Sequence, residues 1–292
     1  MLHEIAPHQM HNEFRVQLPK FSDYLIVFYG EKTLLKKVND HFEIPRFSDL
    51  VSLGYSKACV LSQVPCHYLL SIDEDAYFLL DDVSLVVNET GETVSVPAGY
   101  EFVGNRVFRT LESPLERLGG ATSAHIAKWE SLNRFCGRCG SKMERGTRER
   151  SVVCPACKNT VYPRISPVVI VAVHNGDELL MARNLDHPDK SRLFLISGFV
   201  EIGESLEQAV AREVMEEAGI CVKNIRYFGS QPWPFSESLI SGYTAELDGD
   251  ATLKIQESEI ETACWVKRAD IPPYDTSVSI SSALIENFRT QV

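Results

Sequence analysis

No apolar run in this 292-residue chain approaches the ~20 residues that a membrane-spanning helix needs; Val168–Val173 is six residues long. The opening residues Met1-Leu2-His3-Glu4 lack a basic segment leading into an apolar one, so no secretory leader is expected. Thr290-Gln291-Val292 is not a Ser-Lys-Leu peroxisomal address. Long internal repeats and low-complexity linkers are missing as well. Positive charge is scarce: 29 Lys and Arg against 40 Asp and Glu leave −11. Disorder is excluded by the 44% hydrophobic content, which is ample for a core. At about 150 residues per domain the length predicts roughly two domains. The expectation is a cytoplasmic protein without membrane contact.

The scarce positive charge is concentrated. Between residues 134 and 164 lie Arg134, Arg138, Lys142, Arg145, Arg148, Arg150, Lys158 and Arg164, against Glu144 and Glu149. Eight minus two makes this island +6, leaving −17 for the remainder. It reads either as a solvated basic hairpin or as a contact surface for phosphates.

Four of the eight cysteines form Cys136-Gly137-Arg138-Cys139 and Cys154-Pro155-Ala156-Cys157, with fourteen residues between the pairs. Each pair can present two thiolates to one ion, and two pairs close a tetrahedral Zn²⁺ site with no open position. Such a site builds structure and leaves no vacancy for water. Disulfides fit poorly without a secretory context, and a redox dithiol needs no second pair. Cys59, Cys66, Cys221 and Cys264 are expected to be small core residues.

Along the chain, strand-like stretches at Tyr24–Tyr29, Tyr77–Leu80 and Ser84–Val87 precede a helix expected over 121–132. After the cysteine hairpins, Val168–Val173 reads as a buried strand. His174-Asn175-Gly176-Asp177 reads as a hairpin turn and Glu178–Arg183 as the partner strand. A helix is expected over 205–218, stopped by Gly219. Strands follow near 225–229, 239–247 and 262–266, then a closing helix near 279–289.

The helix over 205–218 carries the chemical signal. At about 100° per residue, Glu213 and Glu217 fall on the same stripe as the apolar Leu206 and Val210, with Glu216 at its edge. Carboxylates where core residues should continue repel one another. A hard divalent cation, Mg²⁺ or Mn²⁺, resolves that conflict.

These residues resemble the box of the Nudix hydrolases: glycine, five residues, glutamate, seven residues, then Arg-Glu-aliphatic-x-Glu-Glu-x-Gly-aliphatic. Gly198, Glu204, Arg212, Glu213, Val214, Glu216, Glu217, Gly219 and Ile220 match every fixed position. The resemblance implies an α/β/α sandwich that hydrolyses a nucleoside diphosphate linked to another moiety, using two or three Mg²⁺ or Mn²⁺ ions. By the same resemblance, Glu213, Glu216 and Glu217 are metal ligands, Glu217 is also the candidate base, Arg212 holds a carboxylate and Glu204 acts behind them.

Ser230-Gln-Pro-Trp-Pro-Phe-Ser-Glu-Ser-Leu-Ile240 further resembles the Ser-Gln-Pro-Trp-Pro-Phe-Pro-x-Ser motif of the NADH pyrophosphatase subfamily, with Ser236 in place of the usual proline. A zinc ribbon ahead of the Nudix domain is another mark of that subfamily. The resemblance therefore implies three domains: a Nudix-like N-terminal domain at 1–130, the inserted ribbon at 131–164 with one structural zinc per chain, and the catalytic Nudix domain at 165–292. It implies substrate contacts from Glu149, Tyr162, Phe199, Gln231, Pro232, Trp233, Pro234, Phe235, Ser236, Glu237, Ser238 and Ser281. Ser197, through its carbonyl, and Glu259 become further metal ligands. It also implies a homodimer in which Tyr162 reaches the neighbouring site.

The expected reaction is hydrolysis of NADH or NAD⁺ to NMN(H) and AMP, extended to the NAD cap of RNA, where the basic island has an electrostatic motive. Two alternatives remain: another Nudix diphosphatase acting on ADP-ribose or dinucleoside polyphosphates, or a non-catalytic RNA-binding zinc-ribbon protein.

Overall fold

The computed structural model describes residues 1–50, 53, 61–86, 88–90, 93–186 and 189–291. It divides into two compact units, one of residues 4–164 and the other of residues 1–3 with 165–292. Among the described residues no helix is long and apolar enough to cross a membrane.

In the 4–164 unit, strand β1 (Tyr24–Ile26) runs parallel to β3 (Asp75–Leu80), which forms a hairpin with β2 (Cys66–Ile72). A second sheet pairs Lys32–Val38 with Tyr100–Gly104, Phe28–Tyr29 and His41–Glu43. Leu25, Leu34, Phe47 and Phe78 form the fully buried centre. The long helix α1 (Pro114–Leu132) starts earlier than its apolar pattern suggests, because Ser113 caps it and Pro114 occupies its first turn. It lies close to the sheet: a Cβ on Gly119 would meet the Tyr77 ring at 2.3 Å, and one on Gly120 would meet Phe108 at 2.4 Å.

Ser84–Val87 is not a strand. Val83–Leu85 forms a single 3-10 turn, capped when Asp82 accepts from the Ser84 amide, and Val87 lies outside the described residues. Local side-chain capping overrode the apolar run.

The cysteine segment 131–164 belongs to this same unit and is a three-stranded ribbon of Glu144–Arg145, Val152–Val153 and Thr160–Val161. Several of its cations are already engaged; Lys158 donates to the Pro155 carbonyl at 2.9 Å. Arg145 pairs with Glu130 at 2.9 Å and Asp81 at 2.8 Å, and His67 contacts both carboxylates. Arg150 donates to the carbonyls of Asn12 and Leu69.

The other unit is a six-stranded mixed sheet between two helices. Its strands are β4 (Ser166–Asn175), β5 (Glu178–Asn184), β6 (Ile196–Phe199), β7 (Cys221–Trp233), β8 (Ser238–Asp248) and β9 (Ile260–Lys267). They run in the order β7-β8-β4-β5-β9, with β6 also on β4. Only β4 and β8 are parallel. Val169, Val171 and Val173 face α2 (Leu206–Ala218), while Ile170 and Ala172 face α3 (Ile280–Thr290). The Val168–Val173 run is apolar at every position because each face of the sheet meets a helix. The result is the expected α/β/α sandwich. Cys66 and Cys264 are half-buried, but Cys221 opens β7 exposed to solvent, contrary to expectation; Cys59 lies outside the described residues.

Candidate active site

The site begins where β4 changes neighbours. Its first half pairs with β6 (Val169↔Gly198, Ile170↔Ser197), and only His174 and Asn175 pair with β5. Strand β6 thereby delivers Ser197, Gly198 and Phe199 to the start of the loop before α2. Ser205 caps α2, exchanging hydrogen bonds with Gln208, and Gly219 ends the helix at φ 70°.

Arg212 binds the loop to the helix. Its guanidinium holds both oxygens of Glu204 at 2.6 and 2.9 Å, Glu213 at 2.8 Å, Glu216 at 2.9 Å and the Phe199 carbonyl at 3.0 Å. That contact set holds the Glu204 carboxyl down to about 2. Glu204 also accepts from the Glu201 amide, closing the loop on itself. Charge-assisted forks of this kind fix geometry as well as energy.

Glu213 stands against Gly198. A Cβ at that glycine would lie 2.0 Å from the Glu213 carboxyl carbon. Gly198→Ala is therefore expected to displace Glu213 and lower activity at least about 100-fold while the fold survives. Near-normal turnover with intact circular dichroism would show that Glu213 does not need this position.

Glu217 is the unusual group. It lies on the helix face with Ala209, Val210, Val214 and Ala218, only 6% exposed. Burial, then Glu213, Glu259 and Glu216, push its carboxyl up to about 8. Burial also raises Glu213. Among the described residues no donor or cation meets the Glu217 side chain. Glu259 is brought alongside by the backbone: the Gln256 amide bonds the Glu217 carbonyl at 3.3 Å, and the Glu259 amide bonds Gln256 at 3.0 Å. These glutamates offer only oxygen donors, the set that suits a hard divalent cation, but among the described residues the four ribbon cysteines, and not these carboxylates, bring three or more ligand atoms within 4.8 Å of one another.

The sign of the resulting pH dependence follows. The folded value of Glu217 lies above its ordinary 4.5, so the penalty is absent below that value, grows as pH rises and is complete above about 8. Without divalent ions, stability is expected to fall between about pH 5 and 8.5 by on the order of 4 kcal/mol, and Glu217→Gln should remove most of that slope. Identical melting curves for both proteins across the range would contradict the assignment.

The motif after β7 forms a second wall. Trp233 and Phe235 are half-buried and pack edge to face at 4.9 Å, with Pro232 and Ser236 exposed. Ser238 is buried and bonds Ser236 through its hydroxyl, and Glu237 is buried at a left-handed φ of 55°. Gln231 departs from expectation. It is fully buried, and both ends of its amide are engaged within the protein, by the Val278 carbonyl and the Ile280 amide. Its amide is not available to a substrate. Phe199 is 55% exposed beside the box, and Ser281 is half-buried in the first turn of α3. In the other unit, the exposed Tyr162 donates to Glu149 at 2.8 Å.

The four ribbon cysteines gather as expected. Their sulfurs all lie within 4.8 Å of one another, with Cys136–Cys157, Cys139–Cys154 and Cys139–Cys157 at 3.6, 3.5 and 3.5 Å. A tetrahedron with Zn–S bonds of about 2.3 Å has edges of about 3.8 Å, whereas a disulfide needs about 2.05 Å. Backbone amides aimed at the sulfurs lower Cys136, and the Ser141 amide together with the contact to the Ser141 hydroxyl brings Cys139 down to about 6. This is a structural zinc site.

Comparison with known proteins matches two domains of the chain. The Nudix domain profile matches residues 164–288, and that of the NADH pyrophosphatase zinc ribbon domain matches residues 131–162. The chain is 42% identical over 162 residues to the NAD-capped RNA hydrolase NudC of Salmonella typhi, covering 56% of this chain and 62% of that protein. It is 40% identical over 176 residues to the protein of the same name from Salmonella typhimurium, covering 60% and 67%. A solved Nudix hydrolase from Nitrosomonas europaea aligns at 22% identity over 53% of this chain and 90% of that one, with a TM-score of 0.46. The match to the first of these relatives thus spans a little under two thirds of its length. The chain belongs to the Nudix family. Its Nudix domain follows a zinc ribbon of the NADH pyrophosphatase type.

Proposed function

We propose that the protein is a divalent-metal-dependent diphosphatase that cleaves NADH or NAD⁺ to NMN(H) and AMP, and removes the NAD cap from RNA to leave NMN and a 5′-monophosphate end. The observation that carries this reading is Glu217, buried on α2 with its carboxyl pushed up to about 8 by burial and by the charges of Glu213, Glu259 and Glu216. When bound, two or three Mg²⁺ or Mn²⁺ ions neutralise the diphosphate and acidify water.

The Ser197 carbonyl, Glu213, Glu216, Glu217 and Glu259 are the ligands we assign. The water oxygen bonds to one phosphorus as that same phosphorus loses its bond to the bridging oxygen, the other phosphate leaves carrying the bridging oxygen, and Glu217 would take the proton from the water. Arg212 keeps Glu213 and Glu216 fixed while this happens. Trp233 and Phe235 wall the base and ribose, Phe199 stacks on the nicotinamide, and Ser281 contacts the substrate. Glu149 orients Tyr162, which we place at the partner subunit's site in a cytoplasmic homodimer.

For capped RNA, the supporting features are the names of the relatives and the cations that the ribbon does not use internally. Arg134, Lys142 and Arg148 make no ion pair among the described residues, whereas Arg145 does.

Product analysis tests the proposal. NADH with Mg²⁺ or Mn²⁺ should yield AMP and NMNH. Turnover of ADP-ribose or a dinucleoside polyphosphate without NADH turnover would move the substrate elsewhere in the family. No hydrolysis of any of these, with RNA binding retained, would favour a binding protein.

A further inference from the structure

We infer that Gln231 is a positioning residue that caps helix α3 from strand β7 and so fixes the two walls of the dinucleotide pocket relative to each other. The inference rests on the proposed reading only in placing Trp233, Phe235 and Ser281 at the substrate.

Gln231 sits in β7, opposite Ile240 of β8, two residues before Trp233. Its side chain is fully buried. The amide nitrogen donates to the Val278 carbonyl at 2.7 Å, and the amide oxygen accepts from the Ile280 N–H at 2.7 Å. Ile280 is the first residue of α3, and its N–H has no partner within the helix. The ordinary cap, Ser279, serves Ser282 instead. The Val278 carbonyl receives a second donor, the Leu2 amide at 3.3 Å, so both of its lone pairs are engaged.

Side-chain packing supports the same seat. A Cβ on Gly242 of β8 would lie 2.8 Å from Ile280 and 3.2 Å from Leu284, so this end of α3 rests directly on the strand beside β7. Ile280, Leu284 and Ile285 are buried beneath it. Ser281 then follows the clamped residue, and among the described residues its N–H and hydroxyl make no hydrogen bond. Gln231 thus joins the motif strand to the segment that presents Ser281. Severing the two buried hydrogen bonds leaves the Ile280 N–H unsatisfied at the start of α3 and the Val278 carbonyl with the Leu2 amide as its remaining donor.

The test uses the full-length zinc-loaded protein. In Gln231→Met, amide exchange at Ile280–Ser282, measured without substrate, is expected to rise on the order of tenfold or more. KM for NADH should rise about tenfold with kcat within about twofold. If that variant does not fold, Gln231→Asn, one methylene too short to hold both Val278 and Ile280, is read by the same two measurements. Unchanged exchange with a raised KM would overturn the inference and make Gln231 a direct substrate ligand. Unchanged exchange with unchanged KM would overturn it outright. If the wild-type protein does not turn over NADH, the substrate reading fails, and the exchange experiment still decides whether the clamp exists.

Discussion

On the proposed function, in which one side chain serves as both metal ligand and proton acceptor, Glu217→Gln is expected to lower NADH hydrolysis by roughly 10³–10⁴-fold with the fold intact. The substitution is nearly isosteric and removes a buried carboxylate that repels Glu213 and Glu259, so the metal-free variant should be the more stable protein. Loss of activity with a gain in stability is the signature of a group kept for chemistry. Steady-state kinetics and thermal melting on the same preparations check it. A variant that is both inactive and less stable would place Glu217 among the structural residues.

Removing the zinc should have the largest effect on folding. The ribbon strands are two residues each, too short to persist by backbone pairing. Structural zinc in isolated fingers contributes about 10–16 kcal/mol. Cys139→Ser is expected to abolish stoichiometric zinc and to free the amides of residues 134–161 for exchange. On the proposed function it should also raise KM for NADH, since Glu149 and Tyr162 are carried by the ribbon. Elemental analysis with amide exchange decides. A metal-free ribbon that stays protected would contradict the assignment.

What was legible in the sequence was whatever repeats locally or sits in a short motif. The stripe of Leu206, Val210, Glu213 and Glu217 places the acids correctly because helix geometry is local, and the buried face of α2 contains Val210 and Glu217 together. The two Cys-x-x-Cys pairs likewise identify their ion by spacing alone. What was not legible depends on partners far along the chain. Gln231 looks like a substrate donor within its motif, and only the fold brings Val278 and Ile280 to it, 47 and 49 residues away. Arg145 counts toward a basic island until Asp81 and Glu130 are found beside it. Cys221 reads as core from its apolar neighbours, yet it opens a strand that begins in solvent. Glu259 has no periodicity to reveal it and is expected only from the family resemblance; the fold brings its charge to bear on Glu217.

The central claim is that Glu213, Glu216 and the buried Glu217 of α2 form a divalent-metal site, and Mn²⁺ titration with proton counting tests it most directly. Glu217 holds its proton at pH 7 and must release it when the ion binds. Calorimetry in two buffers of different ionisation enthalpy should show release of close to one proton per site at pH 7, less at pH 9, and almost none for Glu217→Gln. Tight Mn²⁺ binding with no proton release at pH 7, or with the same release in Glu217→Gln, would contradict the account.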